Sequence, residues 1–236
     1  MRNNKQIFLV HPIKSLALFL IALAICSCKT MPQEQSILVD FRKDAEKTME
    51  HFEPRDGMMS ILVDAKTGEI LASVDLPENG EDRTSTYLYE PGPVFDVFRD
   101  SAIMHLPESM RDSDKAFRFM MNQFGFTEYP LVTAKQMVKA ATVFANHGIL
   151  GDNELEVVSS EVADKMLNIM DETTDIEDTA MVCYKDSNAV SSLAFYPAED
   201  PQYIMYVVVL QPSKGGTTTN PGNVDKIRKE IYSAKL

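Results

Sequence analysis

Apolar and polar positions alternate along this chain with two periods. From Phe41 to Phe52 the apolar residues Phe41, Ala45, Met49 and Phe52 recur at helical spacing. Two β-rich runs follow, Met58 to Val63 and Ile70 to Val74, around Asp64-Ala65-Lys66-Thr67-Gly68. Gly68 can take the positive φ that a short loop needs, so the pattern predicts a β-hairpin. The middle of the chain returns to the helical period. "TAKQMVKAATVFANHG" gathers Met137, Ala140, Ala141 and Phe144 on one face. Thr133 and Gln136 form a capping-box signature there, and Gly148 can close the helix. "SSEVADKMLNIM" repeats this with a serine cap and Val162, Met166, Ile169 and Met170 inward; "DKAFRFMMNQFGF" is a third, shorter helix.

The last third is extended again. "TAMVCYK" and "AVSSLAFYP" flank the turn Asp186-Ser187-Asn188, and "YIMYVVVLQP" follows Glu199-Asp200-Pro201. The near-continuous apolar run of that third strand suits a strand covered on both faces. A final helix is expected from Asn220-Pro221, with Val224, Ile227 and Ile231 inward. Strands joined by short turns pair antiparallel. The expected fold is therefore α/β in content (α+β): one five-stranded antiparallel sheet flanked by helices.

The N-terminus changes the picture of where this domain works. Arg2, Lys5 and Lys14 precede the apolar run Leu16 to Cys26, which is too short to span a bilayer and suits a signal-peptide core. "ICSCKT" follows, with small residues before a cysteine, the pattern of a bacterial lipoprotein cleavage site. Cys28 is the expected lipidated residue, because Ser27 before it is small where Ile25 before Cys26 is bulky. The expected organisation is a signal peptide over 1–27, a polar tether over 28–40 and one domain over 41–236. An ordinary secretory signal is the plainer alternative. Lipid on Cys28 would anchor the chain to a membrane of the cell envelope, facing the periplasm.

Charge narrows the partners. The net charge is −12, and residues 1–27 carry three basic and no acidic residues, so the exported chain would stand at −15. Nucleic-acid binding through phosphates needs clustered Lys and Arg, which this chain lacks. With Cys26 and Cys28 outside the domain, Cys183 has no disulfide partner, and its setting in "TAMVCY" reads as a small buried hydrophobe. The four histidines, His11, His51, His105 and His147, are not at ligand spacing; neither a metal nor another cofactor is expected. The many methionines read as core filling.

Six stretches, in order, resemble the transpeptidase domain of class B penicillin-binding proteins: "SILVDAKTGEILASV", "YEPGPVFD", "FMMNQFGF", "LVTAKQMVKAATVFANHGIL", "VVSSEVADKMLNIM" and "TAMV…SSLAFYPAEDPQYIMYVVVLQP". Together they cover most of residues 40 to 232. The resemblance implies a five-stranded antiparallel sheet flanked by helices, the arrangement already expected, in a reduced form. It also implies an enzyme that acylates a serine with a peptidoglycan stem peptide and is trapped there by β-lactams. Three motifs carry that chemistry. In Ser-x-x-Lys a lysine one turn away handles the proton of the attacking serine. Ser-x-Asn relays protons and orients substrate. A strand-borne Lys-Thr-Gly meets the substrate carboxylate.

This chain departs from all three. "YEPGPVFD" matches a YEPGSTFK segment, placing Pro93 at the serine and Asp96 at the lysine. No lysine in the chain has a serine three residues before it, and no asparagine has one two residues before it. The segment between Asp96 and Phe124-Gly125-Phe126 is short for the family, so the Ser-x-Asn part is expected to be deleted. Before Thr179-Ala180, where the catalytic Lys-Thr-Gly belongs, the chain reads Ile176-Glu177-Asp178. Acids there would repel a carboxylate. Lys66-Thr67-Gly68 lies in the first hairpin instead. Pro93 still suits the first position of a helix and Asp96 its first turn. The implied protein is a non-catalytic lipoprotein that binds cell-wall synthesis or division proteins, or peptidoglycan. Two alternatives stay open: an enzyme with relocated residues, using Asp96 with Glu90 or Glu177 with Asp178 as a carboxylate pair, and an unrelated exported interaction module.

Overall fold

The computed structural model describes residues 33–231 except 79, 152–154, 187, 214–222, 224–225 and 229–230. The expected signal peptide and Cys28 lie outside the described residues. Helix α1 (Gln33–Phe52) leads into the hairpin β1 (Met58–Asp64) and β2 (Ile70–Leu76). A short α2 (Arg83–Thr86) and a 3-10 turn (Gly92–Phe95) precede α3 (Asp96–His105). Then come α4 (Asp114–Gln123), α5 (Ala134–Ala145), the two-residue strands β3 (Ile149–Leu150) and β4 (Leu155–Glu156), and α6 (Ser160–Thr173). Strands β5 (Ala180–Lys185), β6 (Ala189–Tyr196) and β7 (Tyr203–Leu210) complete the main sheet.

That sheet has five strands in the order β2-β1-β7-β6-β5, every pair antiparallel. The first hairpin and the last three strands, far apart in sequence, meet where β1 pairs β7 from Met58↔Val209 to Asp64↔Tyr203. Side chains alternate across the sheet. On one face Ile61, Val63, Val182, Leu193, Phe195, Tyr206 and Val208 pack against the helical middle. On the other, Met58, Leu62, Met181, Cys183, Ala194, Met205 and Val207 pack with Phe41, Ala45 and Phe52 of α1. Central β7 is buried on both faces, as its unbroken apolar run predicts.

The capping box of α5 is present: the Thr133 hydroxyl accepts from the Gln136 N–H, and the Gln136 side chain accepts from the Thr133 N–H at 2.8 Å. After Ala145 the chain leaves the helix through Gly148, whose φ is +93°. A Cβ there would lie 2.0 Å from the Val158 carbonyl oxygen, so glycine is the residue that fits. The helix of α1 reaches back to Gln33, into the segment expected to be a polar tether. Glu and Gln propagate a helix well, and no Gly or Pro interrupts residues 33–52. A stretch without a long apolar period can thus still be helical. The β3–β4 pair and α2 are further elements that periodicity does not announce, each too short to hold a repeat. Ile227 and Ile231 of the C-terminal helical segment are buried as expected, whereas its start at Asn220-Pro221 and Val224 lie outside the described residues.

Candidate functional site, a transpeptidase-like cleft

The segment "YEPGPVFD" is held from below. Tyr89 pairs with Val132 through two backbone hydrogen bonds of 3.0 Å, and its hydroxyl meets that of Tyr206 on β7 at 2.9 Å, fully inside the protein. Burial pushes both phenols upward, so both stay neutral. Gly92 then turns with φ +64°, its Cα facing the Tyr184 ring of β5, which lies 3.8 Å from where a Cβ would stand. Pro93 follows in the first turn of the 3-10 helix, where a missing N–H costs nothing. Val94 and Phe95 plug the turn into the core beside Phe98, Phe126 and Tyr129.

Asp96 opens α3, as expected of an acid at a helix start. Its carboxylate is 13% exposed and is taken by two arginines. Arg99, one turn on, holds one oxygen at 2.9 Å, and Arg228 of the C-terminal segment holds the other. Arg99 also pairs with Asp100 at 3.1 Å. Burial raises the Asp100 carboxyl above its ordinary range, and Arg99 partly opposes that shift. At the two positions where the resemblance led us to expect a serine and a lysine, the turn holds Pro93 and an acid paired with two arginines. Glu90 is exposed on the loop before the turn.

Before β5, where the third motif was expected, stand Ile176, Glu177 and Asp178. Ile176 is buried with the α1-side core, and Glu177 and Asp178 are exposed. Asp178 has φ +54° and accepts from the Ala198 N–H at 3.2 Å, a turn-closing role. Asp171, at the end of α6, has its carboxyl raised by desolvation and by the charges of Asp178 and Glu199. That mutual repulsion is the signature of an acidic patch at the N-terminal end of β5. An anionic ligand would meet unfavourable charge here.

Lys66-Thr67-Gly68 lies in the turn between β1 and β2. The Lys66 ammonium donates to the Ala145 carbonyl at 3.0 Å and pairs with Asp200 at 2.7 Å. It thus supplies a cation to the C-terminus of α5, where the helix dipole favours one. The Asn146 side chain donates to the Ala65 and Lys66 carbonyls, at 3.1 and 3.2 Å. Ala65 and Lys66 thus anchor the hairpin to the end of α5.

Sequence reasoning did not find Asn223 and Arg228. Asn223 is 5% exposed and lies against the outer edge of β5. Its side-chain oxygen accepts from the Cys183 N–H at 2.8 Å, and its amide donates to the Met181 carbonyl and, at 3.2 Å, to the Thr173 hydroxyl. The one available signal was Arg228, a long cation set next to Ile227 in a helix otherwise read for its apolar face. Among the described residues no cluster of His, Cys, Asp and Glu could hold a metal ion, and no helix is long and apolar enough to cross a membrane.

Comparison with solved structures places this arrangement. The transpeptidase domain of the FtsI4 D,D-transpeptidase from Legionella pneumophila superposes with a TM-score of 0.62 at 16% identity, over 86% of this chain and 96% of that one. The corresponding domain of Burkholderia pseudomallei penicillin-binding protein 3 gives 0.63 at 14% identity, over 85% and 95%. The fold is that of a transpeptidase domain of penicillin-binding proteins. Penicillin-binding protein 2X from Streptococcus thermophilus also matches, with a TM-score of 0.61 at 17% identity over 83% of this chain, which spans 50% of that longer protein. No protein-family model and no curated protein sequence matches the chain. Identity this low establishes the transpeptidase fold and leaves the chemistry to the residues present.

Proposed function

We propose that this chain is a non-catalytic transpeptidase-like domain that works by binding in the bacterial cell envelope. The observation that carries the reading is the start of α3, where Pro93 offers no nucleophile and Asp96 is neutralised by Arg99 and Arg228. Acylation needs a hydroxyl or thiol with a base beside it. Pro93 has neither, and Tyr184 covers the adjoining Gly92. Cys183, on the neighbouring strand, is buried, and burial raises its thiol out of the reactive range. The acidic patch at Glu177 and Asp178 disfavours the carboxylate of a stem peptide. Partners are then cell-wall synthesis or division proteins, or peptidoglycan itself, met by a chain anchored through lipid on Cys28.

The test is covalent labelling. The full chain is incubated with a fluorescent penicillin beside an active class B transpeptidase, and both are denatured and run on a gel. The reading expects a labelled control and an unlabelled chain. Label that survives denaturation would return the chain to the enzymes, with its nucleophile somewhere other than position 93. For the anchor, metabolic labelling with a fatty acid should mark the native chain and not Cys28→Ser; equal labelling of the two would remove Cys28 from the account.

A further inference from the structure

Nine large apolar side chains are exposed among the described residues, and four of them, Tyr87, Leu88, Tyr129 and Leu131, come from two segments that pair with each other. Tyr89 and Val132 exchange two backbone hydrogen bonds as an antiparallel pair, and both side chains are buried. Side chains alternate across extended backbone. With Tyr89 and Val132 inward, Leu88, Glu90 and Leu131 point to solvent, where all three are exposed. In this register Leu131 stands opposite Glu90 and diagonal to Leu88, a spacing that long side chains bridge. Two residues before Leu131, the Tyr129 ring is fixed against Phe95 and Phe117, with centroids 5.2 and 5.5 Å apart. On the other segment, Tyr87 stacks on Tyr89 and carries the Arg83 guanidinium 5.8 Å above its ring. The face is therefore apolar and held in place before anything binds, which lowers the ordering cost of an encounter.

We propose that this face docks a basic, apolar segment of a protein partner, with leucine-like or aromatic side chains against Leu88, Tyr129 and Leu131 and with Lys or Arg against Glu90 and Glu128. The proposal rests on the reading that this chain acts by binding, and adds the surface and the chemistry of the partner. Charge selects the occupant. Glu90 belongs to the face itself, and Glu128 opens the turn that the Leu131 N–H closes on the Glu128 carbonyl at 3.0 Å. Both are exposed, and neither carboxylate is held in an ion pair among the described residues. Other acids are matched, Asp75 by Arg83, Asp96 by Arg99 and Asp200 by Lys66. A second copy would set these two glutamates against the like charges of a chain with net charge −12, and an anionic membrane would repel them too. A cationic segment instead gains at the rim, where charge fixes register and partner choice, while the apolar centre supplies the burial.

Site-specific photo-crosslinking of the full chain, in the cells that make it, tests this. Leu131→benzoylphenylalanine and, separately, Leu88→benzoylphenylalanine put the crosslinker on the face. Leu155→benzoylphenylalanine on β4 is the control, since Leu155 is 40% exposed beside 42% for Leu88 and 37% for Leu131. After irradiation, mass spectrometry of the digested adducts reads the sequence of the captured segment. The expected result is one protein segment, with Lys or Arg beside apolar residues, captured through either leucine of the face and not through the Leu155 site. Adding Glu90→Gln and Glu128→Gln should cut that yield at least about fivefold, because rim charges govern encounter. Glu161→Gln with Glu172→Gln removes as much charge from exposed positions of α6 and should leave the yield unchanged. Adducts to a second copy or to lipid, a captured segment without basic residues, or a yield indifferent to Glu90 and Glu128 would each overturn the proposal. So would the absence of any adduct through Leu88 and Leu131. Capture through the Leu155 site alone would sink this surface and leave the binding reading standing, and penicillin labelling tests the loss of chemistry apart from both.

Discussion

The aromatic core under α3 and the cleft at its start are one turn apart and obey different rules. In the core, Phe98 touches Phe95, Phe124, Phe126 and Phe144 with ring centroids 5.0 to 5.7 Å apart. At the cleft, Pro93 supplies a fixed φ and Asp96 a first-turn acid, and neither offers a hydroxyl for acyl transfer. Folding asks for a fixed φ and a negative charge at the helix start. Chemistry asks for a hydroxyl and a base. The contrast teaches that fold and reaction draw on different atoms of the same turn, so the proposed loss of chemistry leaves the fold intact.

Four perturbations sharpen or break this contrast, and the largest effect belongs to the core. Phe98→Ala should cost about 3–5 kcal/mol by chemical denaturation, through lost burial and the cavity left behind. A loss below about 1 kcal/mol would mean the cluster is looser than its geometry. Next is the cleft. Pro93→Ser with Asp96→Lys writes the family's motif into the chain, yet it sets a lysine between Arg99 and Arg228. It should lose about 2 kcal/mol, the loss of a mostly buried charge partner discounted for partial exposure, and gain no acylation. The Tyr89–Tyr206 pair links the two regions. Tyr89→Phe should cost about 1–2 kcal/mol by leaving a buried hydroxyl alone. The double Phe variant should cost less than the sum, a coupling read from a double-mutant cycle.

The smallest effect lies in the acidic patch. The Asp171 carboxyl is raised, so the folded state binds its proton more tightly than the unfolded state does. The penalty is present at neutral pH and is relieved as pH falls through the raised value. Asp171→Asn should therefore stabilise by about 0.3 kcal/mol at pH 7, small because solvent screens an exposed site. Thermal melts should show that gain shrinking as the pH is lowered into the carboxylate range. A gain that grows on acidification would reverse the assignment.

Much of this was legible in the sequence, for reasons that differ by element. The hairpin, the capped α5 and the strands β5 to β7 carry strong periods and explicit turn or cap residues, so Gly68, Thr133 and Gln136 sit where the pattern put them. The absence of a Ser-x-x-Lys string is a plain fact of the sequence, because a motif is local. What the sequence concealed is long-range polar pairing. Nothing near Asp96 announces an arginine 132 positions away, and nothing near Cys183 announces Asn223. Side-chain bonds of this kind depend on where the fold delivers a segment. The helical extension to Gln33 was hidden for the opposite reason: helix-forming residues without a long apolar stripe look like a linker.

The most direct measurement is the intact mass of the full chain and of its Pro93→Ser, Asp96→Lys variant after incubation with a penicillin, with an active class B transpeptidase as control. The account predicts an adduct on the control and none on either form of this chain. A stoichiometric adduct on the unaltered chain, stable to denaturation, would contradict it by showing a nucleophile that neither the sequence nor the geometry at Pro93 supplies.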